Sequence, residues 1–143
     1  MIRALAGLVL AGVLLGACGT VSSAQATATW LHQSGYYANV KVLASDAQKS
    51  AHALRSASTS SVNLHTLCGV LFNDAGNMEQ SLPSPDDQAT TLLDRATSSL
   101  AHGASTCYSA HSSALLRAKA LALLNEGAAS LAEATARLRT AAP

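Results

Sequence analysis

Cys68 and Cys107 carry the most chemistry by spacing, with His65 three residues before the first and His111 four after the second. On helices, offsets of three and four bring each Cys/His pair to one face. Two outcomes follow. The thiols can oxidise to a disulfide, or two thiolates and two imidazoles can converge as a tetrahedral Cys2His2 site. Such a site would hold zinc structurally, because four protein ligands leave no coordination position open. The redox compartment decides between them, since an even cysteine pair in an oxidising compartment forms a bridge. Closing a loop of about 40 residues would contribute roughly 4 kcal/mol through loop-closure entropy. The expectation is therefore a Cys68–Cys107 disulfide and no cofactor. The set His65, Cys68, Cys107 and His111 is the metal-binding alternative.

The N-terminus names the compartment. Met1, Ile2 and Arg3 make a short positive segment, and Ala4 to Leu15 is an uninterrupted run of 12 apolar and small residues. A helical membrane span needs about 20 apolar residues. The run is too short for that and has the length of a signal-peptide core. It closes on Leu15-Gly16-Ala17-Cys18, which resembles the lipobox of bacterial lipoproteins position by position. The resemblance implies a signal peptide over 1–17, removed on maturation, and a diacylglyceryl thioether on Cys18. Two acyl chains on one residue make a stable anchor where a single chain does not. The expected location is the extracytoplasmic face of a cell membrane. An ordinary signal peptide cut near Ala24-Gln25-Ala26 is the competing reading of the same run. Gly19 follows the cysteine, so the Asp retention signal of some enteric lipoproteins is absent and the receiving leaflet stays open.

From Cys18 to Pro143 the chain has 126 residues, enough for one domain. Without Arg3 it carries eight basic and eight acidic side chains. Zero net charge and no basic stripe give nucleic acid no electrostatic footprint. Thirty residues are Ala and five are aromatic. Ala is the best helix former because it loses no side-chain entropy. The bias also suits a high-GC, actinobacterial genome.

The elements that must position the cysteines follow from period and punctuation. Residues 18–29 are small and polar and read as a flexible tether. A first helix over about 30–57 carries Tyr37, Val40, Ala44, Ala47, Ala51 and Leu54 on one face. The Ser-rich stretch at 58–61 breaks it and offers an N-cap. A second helix over 61–82 carries Leu64, Leu67, Cys68, Leu71, Ala75 and Met78. Leu82-Pro83-Ser84-Pro85-Asp86-Asp87 is the sharpest break, with Ser84 read as N-cap, Pro85 as the first helical residue and Asp87 as the acidic third. A third helix over 85–109 carries Ala89, Leu92, Ala96, Leu100 and Cys107. A fourth over 113–140 carries Leu121, Leu124, Ala128, Leu131, Thr135 and Leu138, with Arg137 and Arg139 in its last turn. A single helix from 86 to 140 would run about 80 Å, so a turn is expected within Ser109 to Ser113. The cysteines lie at unequal distances from the Pro-rich loop, and helix stagger or a kink near Gly103 is expected to absorb the offset. The fold class is all-α, an antiparallel four-helix bundle over 30–143 after the signal peptide, with Ala letting the helices approach closely.

Little else points to chemistry. His32, His52 and His102 are isolated and read as solvated. Trp30, Tyr36 and Tyr37 read as a plug at one end of the bundle, and Asp86 and Asp87 as capping residues. The chain has no GxSxG, HExxH, CxxC, phosphate loop or calcium loop. An enzyme is not expected. The cysteine on helix two, the Pro-Ser-Pro-Asp turn and the cysteine on helix three resemble uncharacterised actinobacterial secreted helical proteins, which adds topology and no activity. The expected role is an interaction or structural module at the cell envelope, tethered by the Cys18 lipid and recognising another protein or a cell-wall component. The alternative is a small-ligand or metal carrier using the bundle interior.

Overall fold

A computed structural model describes residues 22–56 and 58–142. The expected signal peptide, the lipidation site Cys18 and the start of the tether lie outside the described residues. Five helices follow: α1 Ser23–Gln33, α2 Tyr36–Arg55, α3 Ser61–Glu79, α4 Asp87–Tyr108 and α5 Ala114–Ala141. The described residues contain no strand, so the fold is all-helical.

Two expectations fail at the start. Residues 23–29 are helical rather than a loose tether, because the Ser22 side chain accepts from the Gln25 amide and caps α1. The single helix expected over 30–57 is divided at Gly35, whose φ of 61° is left-handed. Gly takes that conformation without steric cost, so α1 ends and α2 starts in a new direction. Because of this break Tyr36, not Tyr37, enters the core, while Tyr37 stays 46% exposed. The third helix also starts later than expected. Asp86 is its N-cap, accepting from the Ala89 amide at 2.8 Å. Ser84 instead holds the preceding turn together, its hydroxyl donating to the Asp86 carbonyl at 2.8 Å and its amide donating to Thr90 Oγ1 at 2.9 Å. The break within 109–113 is where it was expected, with Ser113 capping α5.

Packing is uneven around the bundle, and glycine decides where it is tightest. A Cβ at Gly127 would stand 2.6 Å from Leu100 Cγ and 3.0 Å from the Ala96 carbonyl. One at Gly103 would stand 2.7 Å from Leu124 Cδ2. Each glycine is a notch that receives a leucine of the facing helix, which lets α4 and α5 meet almost backbone to backbone. Gly103 is thus a packing notch within the continuous helix α4. The core filling these interfaces is Leu43, Leu64, Leu71, Met78, Leu93, Leu100, Leu124 and Leu138, with Ala between them.

α5 runs back along α2, pinned at both ends. At one end Tyr36 hydrogen-bonds Thr135 at 2.9 Å, and Thr135 donates onward to the Leu131 carbonyl at 2.7 Å. Thr135 has one proton, so the phenol is the donor to Thr135 Oγ1. At the other end the Arg117 guanidinium donates to the Leu54 carbonyl at 2.9 Å and the Ser56 carbonyl at 3.0 Å. Those are carbonyls at the C-terminus of α2, which have no partner within the helix. The same guanidinium donates to the His111 carbonyl, tying the α4–α5 turn to the end of α2.

Candidate functional site

Cys68 on α3 and Cys107 on α4 are fully buried and form the disulfide, with Cα atoms 5.9 Å apart. The Cys2His2 alternative is not formed. Both thiols are taken up by each other, and the His65 ring stacks on Tyr108 at 4.2 Å with planes 12° apart. His111 sits exposed in the turn between α4 and α5. Among the described residues no three His, Cys, Asp or Glu side chains come together as a metal-binding group. The three aromatic rings cluster, with Tyr36 alone buried. Trp30 lies 5.4 Å from Tyr36, which lies 5.5 Å from Tyr37, and the Trp30 indole donates to the Ser81 carbonyl at 3.1 Å. Burial pushes the Tyr36 phenol up from its ordinary value, against the opposing pull of its Thr135 hydrogen bond.

The structure adds a carboxyl pair that no motif in the sequence announces. Asp46 on α2 accepts from Lys49 at 2.6 Å. That charged hydrogen bond holds its carboxyl below the usual range. Asp74 on α3 goes the other way, raised first by burial and then by the neighbouring Asp46. Its Oδ2 is buried and has no hydrogen-bond partner among the described residues. The two carboxyls thus shift in opposite directions, with Lys49 holding Asp46 and burial acting on Asp74. The pair joins α2 to α3. Asp86 is likewise held low, chiefly by Arg137, which donates to it at 2.7 Å from the last turns of α5. Arg137 thus answers a carboxylate on α4 rather than only the dipole of its own helix.

Grooves of about 620 Å³ and 630 Å³ lie along α4–α5 and α2–α3, and a larger one of about 770 Å³ lies between α2 and α5, with Leu100 of α4 in its lining. Its volume falls in the range of small-molecule sites. From Val40 to Arg55 it follows α2 for about 22 Å at 1.5 Å per residue. It changes character along that length. One part is apolar, walled by Val40, Ala44, Ala47, Ala128, Leu131 and Ala132. The other carries Gln48, His52 and Arg55 from α2 and Asn125 from α5. Arg139 stands at the far tip of the apolar part, beyond Thr135. No carboxylate lines the groove.

No protein-family model, curated protein or solved structure matches this chain.

The sequence reading placed Ala44, Ala47, Ala51 and Ala128 on buried helix faces and expected those faces to close. Ala128 and Ala132 are instead exposed along the groove. His52, read as an isolated solvated residue, is exposed and also lines the groove's polar end. The available signal was the pairing itself: Ala44, Ala47 and Ala51 on α2 facing Ala128 and Ala132 on α5.

Proposed function

We propose that this chain is an extracytoplasmic bacterial lipoprotein, held at the membrane by lipid on Cys18, that works by non-covalent recognition through the α2–α5 groove rather than by catalysis. In this reading α2 to α5 make an antiparallel four-helix bundle, and α1 with Trp30 covers one end of it. The disulfide fixes α3 to α4, and the glycine notches fix α4 to α5. Together they provide a rigid frame on which α2 displays one wall of the groove. The observation that carries the reading is the groove of about 770 Å³ between α2 and α5, which carries both apolar and polar side chains.

Two measurements test it. Cys18→Ser should release the exported protein from the detergent-extractable membrane fraction, or leave it unprocessed, whereas an ordinary signal peptide predicts no change. Hydrogen-exchange mass spectrometry of the protein with solubilised envelope material should show protection in α2 and α5 where they line the groove. That protection should vanish when Ala128 and Ala132 are both replaced by Leu. Protection elsewhere, or protection that survives the filled groove, refutes the groove as the working surface.

A further inference from the structure

We infer that the outer face of α3 is a self-association surface, on which two copies of this chain pair their α3 helices antiparallel about a two-fold axis. The face is separate from the α2–α5 groove, whose lining includes no residue of α3. Val62, His65, Gly69, Phe72 and Gly76 follow one another at intervals of three and four, so they share one side of the helix. Val62 is 74% exposed, Phe72 51% and, at the edge of the face, Val70 44%. Tyr108 of α4, itself half-exposed, stacks on His65 and widens the patch. The exposed side of a surface helix ordinarily carries charge. From Ser61 to Met78 none of the exposed residues of α3 is charged. Contiguous exposed apolar side chains with a polar rim mark an interaction site.

The glycines show how closely the partner comes. Gly inside a helix is costly relative to Ala. At Gly103 and Gly127 that cost is offset by a leucine of the facing helix, which a Cβ would meet at 2.7 Å and 2.6 Å. At Gly69 and Gly76 nothing stands within 4 Å of the Cβ position, so no contact within the chain accounts for either. A helix approaching from outside finds the same kind of notch there.

The order of the side chains selects the occupant. Bulk and glycine alternate along the face as His65, Gly69, Phe72 and Gly76. An antiparallel pair that sets Phe72 level with Gly69 of the second copy also sets Gly76 level with its His65. The two-fold axis repeats both contacts, as an isologous interface requires. That axis passes between residues 70 and 71, the middle of Ser61–Glu79, so each helix is paired over its whole length. A parallel pair would set Phe72 against Phe72 and leave glycine facing glycine. Two copies of an uncharged face meet without like-charge repulsion, whereas an acidic or basic partner finds no counter-charge on it. Phe72 and Tyr108 offer roughly 100 Å² apiece. With Val62, Val70 and a rim of Thr66 and Asn73, the face stays below the ~800 Å² that each partner gives to a standard interface. That area suits a dimer of micromolar affinity rather than an obligate one.

The test uses the purified full chain in a non-ionic detergent, with one added cysteine and a short bismaleimide reagent, and the parent chain as control. Val70→Cys lies beside the axis and should cross-link two copies. Val62→Cys lies at the helix end, about 25 Å from its counterpart at 1.5 Å per residue, and should not exceed the parent. Cross-linking at both positions overturns the antiparallel pairing, and cross-linking at neither overturns the self-association. In sedimentation, Gly69→Ala/Gly76→Ala should weaken dimerisation by about tenfold or more. Below the dissociation constant the same variant should be more resistant to urea than the parent, because both Cβ positions are open. Phe72→Ser should also dissociate the pair with helical circular dichroism unchanged, since Phe72 is exposed. Ala128→Leu/Ala132→Leu, which fills the groove, should leave dimerisation within about twofold. A glycine variant that associates as tightly as the parent overturns the inference, and so does a loss as large from filling the groove.

Discussion

Replacing Gly127 by Ala tests whether the close meeting of α4 and α5 organises the bundle. The added methyl would stand 2.6 Å from Leu100 Cγ and 3.0 Å from the Ala96 carbonyl oxygen. Leu100 is fully buried, with Leu124 packed at Gly103 one layer away, and the groove it lines is the direction open to its side chain. The Ala96 carbonyl belongs to the interior of α4 and is fixed by its helix. Relief therefore requires the two helix axes to separate, and overpacking of this kind costs about 1–3 kcal/mol. Ala returns about 1 kcal/mol of helix propensity over Gly. The expected net loss is about 0–2 kcal/mol. Gly69 and Gly76 of α3 supply the controls, since a Cβ at either meets nothing within 4 Å. There the propensity term acts alone, and Gly69→Ala and Gly76→Ala should each gain about 0.5–1 kcal/mol. Urea titrations followed by circular dichroism, with unchanged m-values, would read all three. A cycle with Leu100→Ala isolates the contact, because truncating Leu100 should relieve much of the Gly127→Ala penalty. If Gly127→Ala proves as stabilising as the α3 controls, the notch does not set the spacing of α4 and α5.

Three further outcomes are expected. Replacing Cys68 and Cys107 together by Ser should cost about 4 kcal/mol by loop-closure entropy for a separation of 39 residues, and reductant should lower the parent to the same urea midpoint. Asp74→Asn should reverse a pH dependence: the raised folded pKa means the native state holds the proton that the unfolded chain releases. Its contribution is complete below the ordinary carboxylate value and is lost as pH rises through the folded one. The variant should therefore gain on the parent as pH increases from 4 to 8, and a flat difference in stability across that range would refute the pairing. Asp86→Ala should cost about 1–2 kcal/mol by removing the α4 cap, and Asp86→Asn less, because Asn still caps. The depressed Asp86 contributes stability above the ordinary carboxylate range and loses it as pH falls through its lowered value, so the Asp86→Ala penalty should shrink in acid stability curves.

Much of the fold was legible because helices announce themselves by period. Leu64, Cys68, Leu71, Ala75 and Met78 are buried as their spacing required, and the cysteine pairing followed from count and compartment. The misreadings share one cause: local signals of similar strength stood side by side. Ser84 and Asp86 are both good caps two residues apart, and only the tertiary environment, where Arg137 meets Asp86 and Thr90 meets Ser84, assigns their roles. Gly35 sits inside a run compatible with one long helix, and its break depends on Tyr36 finding Thr135 across 99 residues of sequence. The Asp46–Asp74 pair is a matter of register between α2 and α3, for which no spacing rule exists.

The groove was illegible for a further reason, since an Ala stripe specifies how closely helices can approach but not whether they do. Between α4 and α5 the stripe is completed by two glycines, and a leucine from each side fills the space they leave. Between α2 and α5 the ends are set first, by the Tyr36 ring against Thr135 and by the Arg117 guanidinium against the α2 carbonyls. Both are large side chains acting as spacers. The stretch between them presents Ala44, Ala47, Ala128 and Ala132 beside Leu124 and Leu131, and the groove runs along it. Larger residues at 128 and 132 would bury apolar area that the native protein leaves open. Small side chains at these positions therefore forgo stability that the same backbone could accommodate.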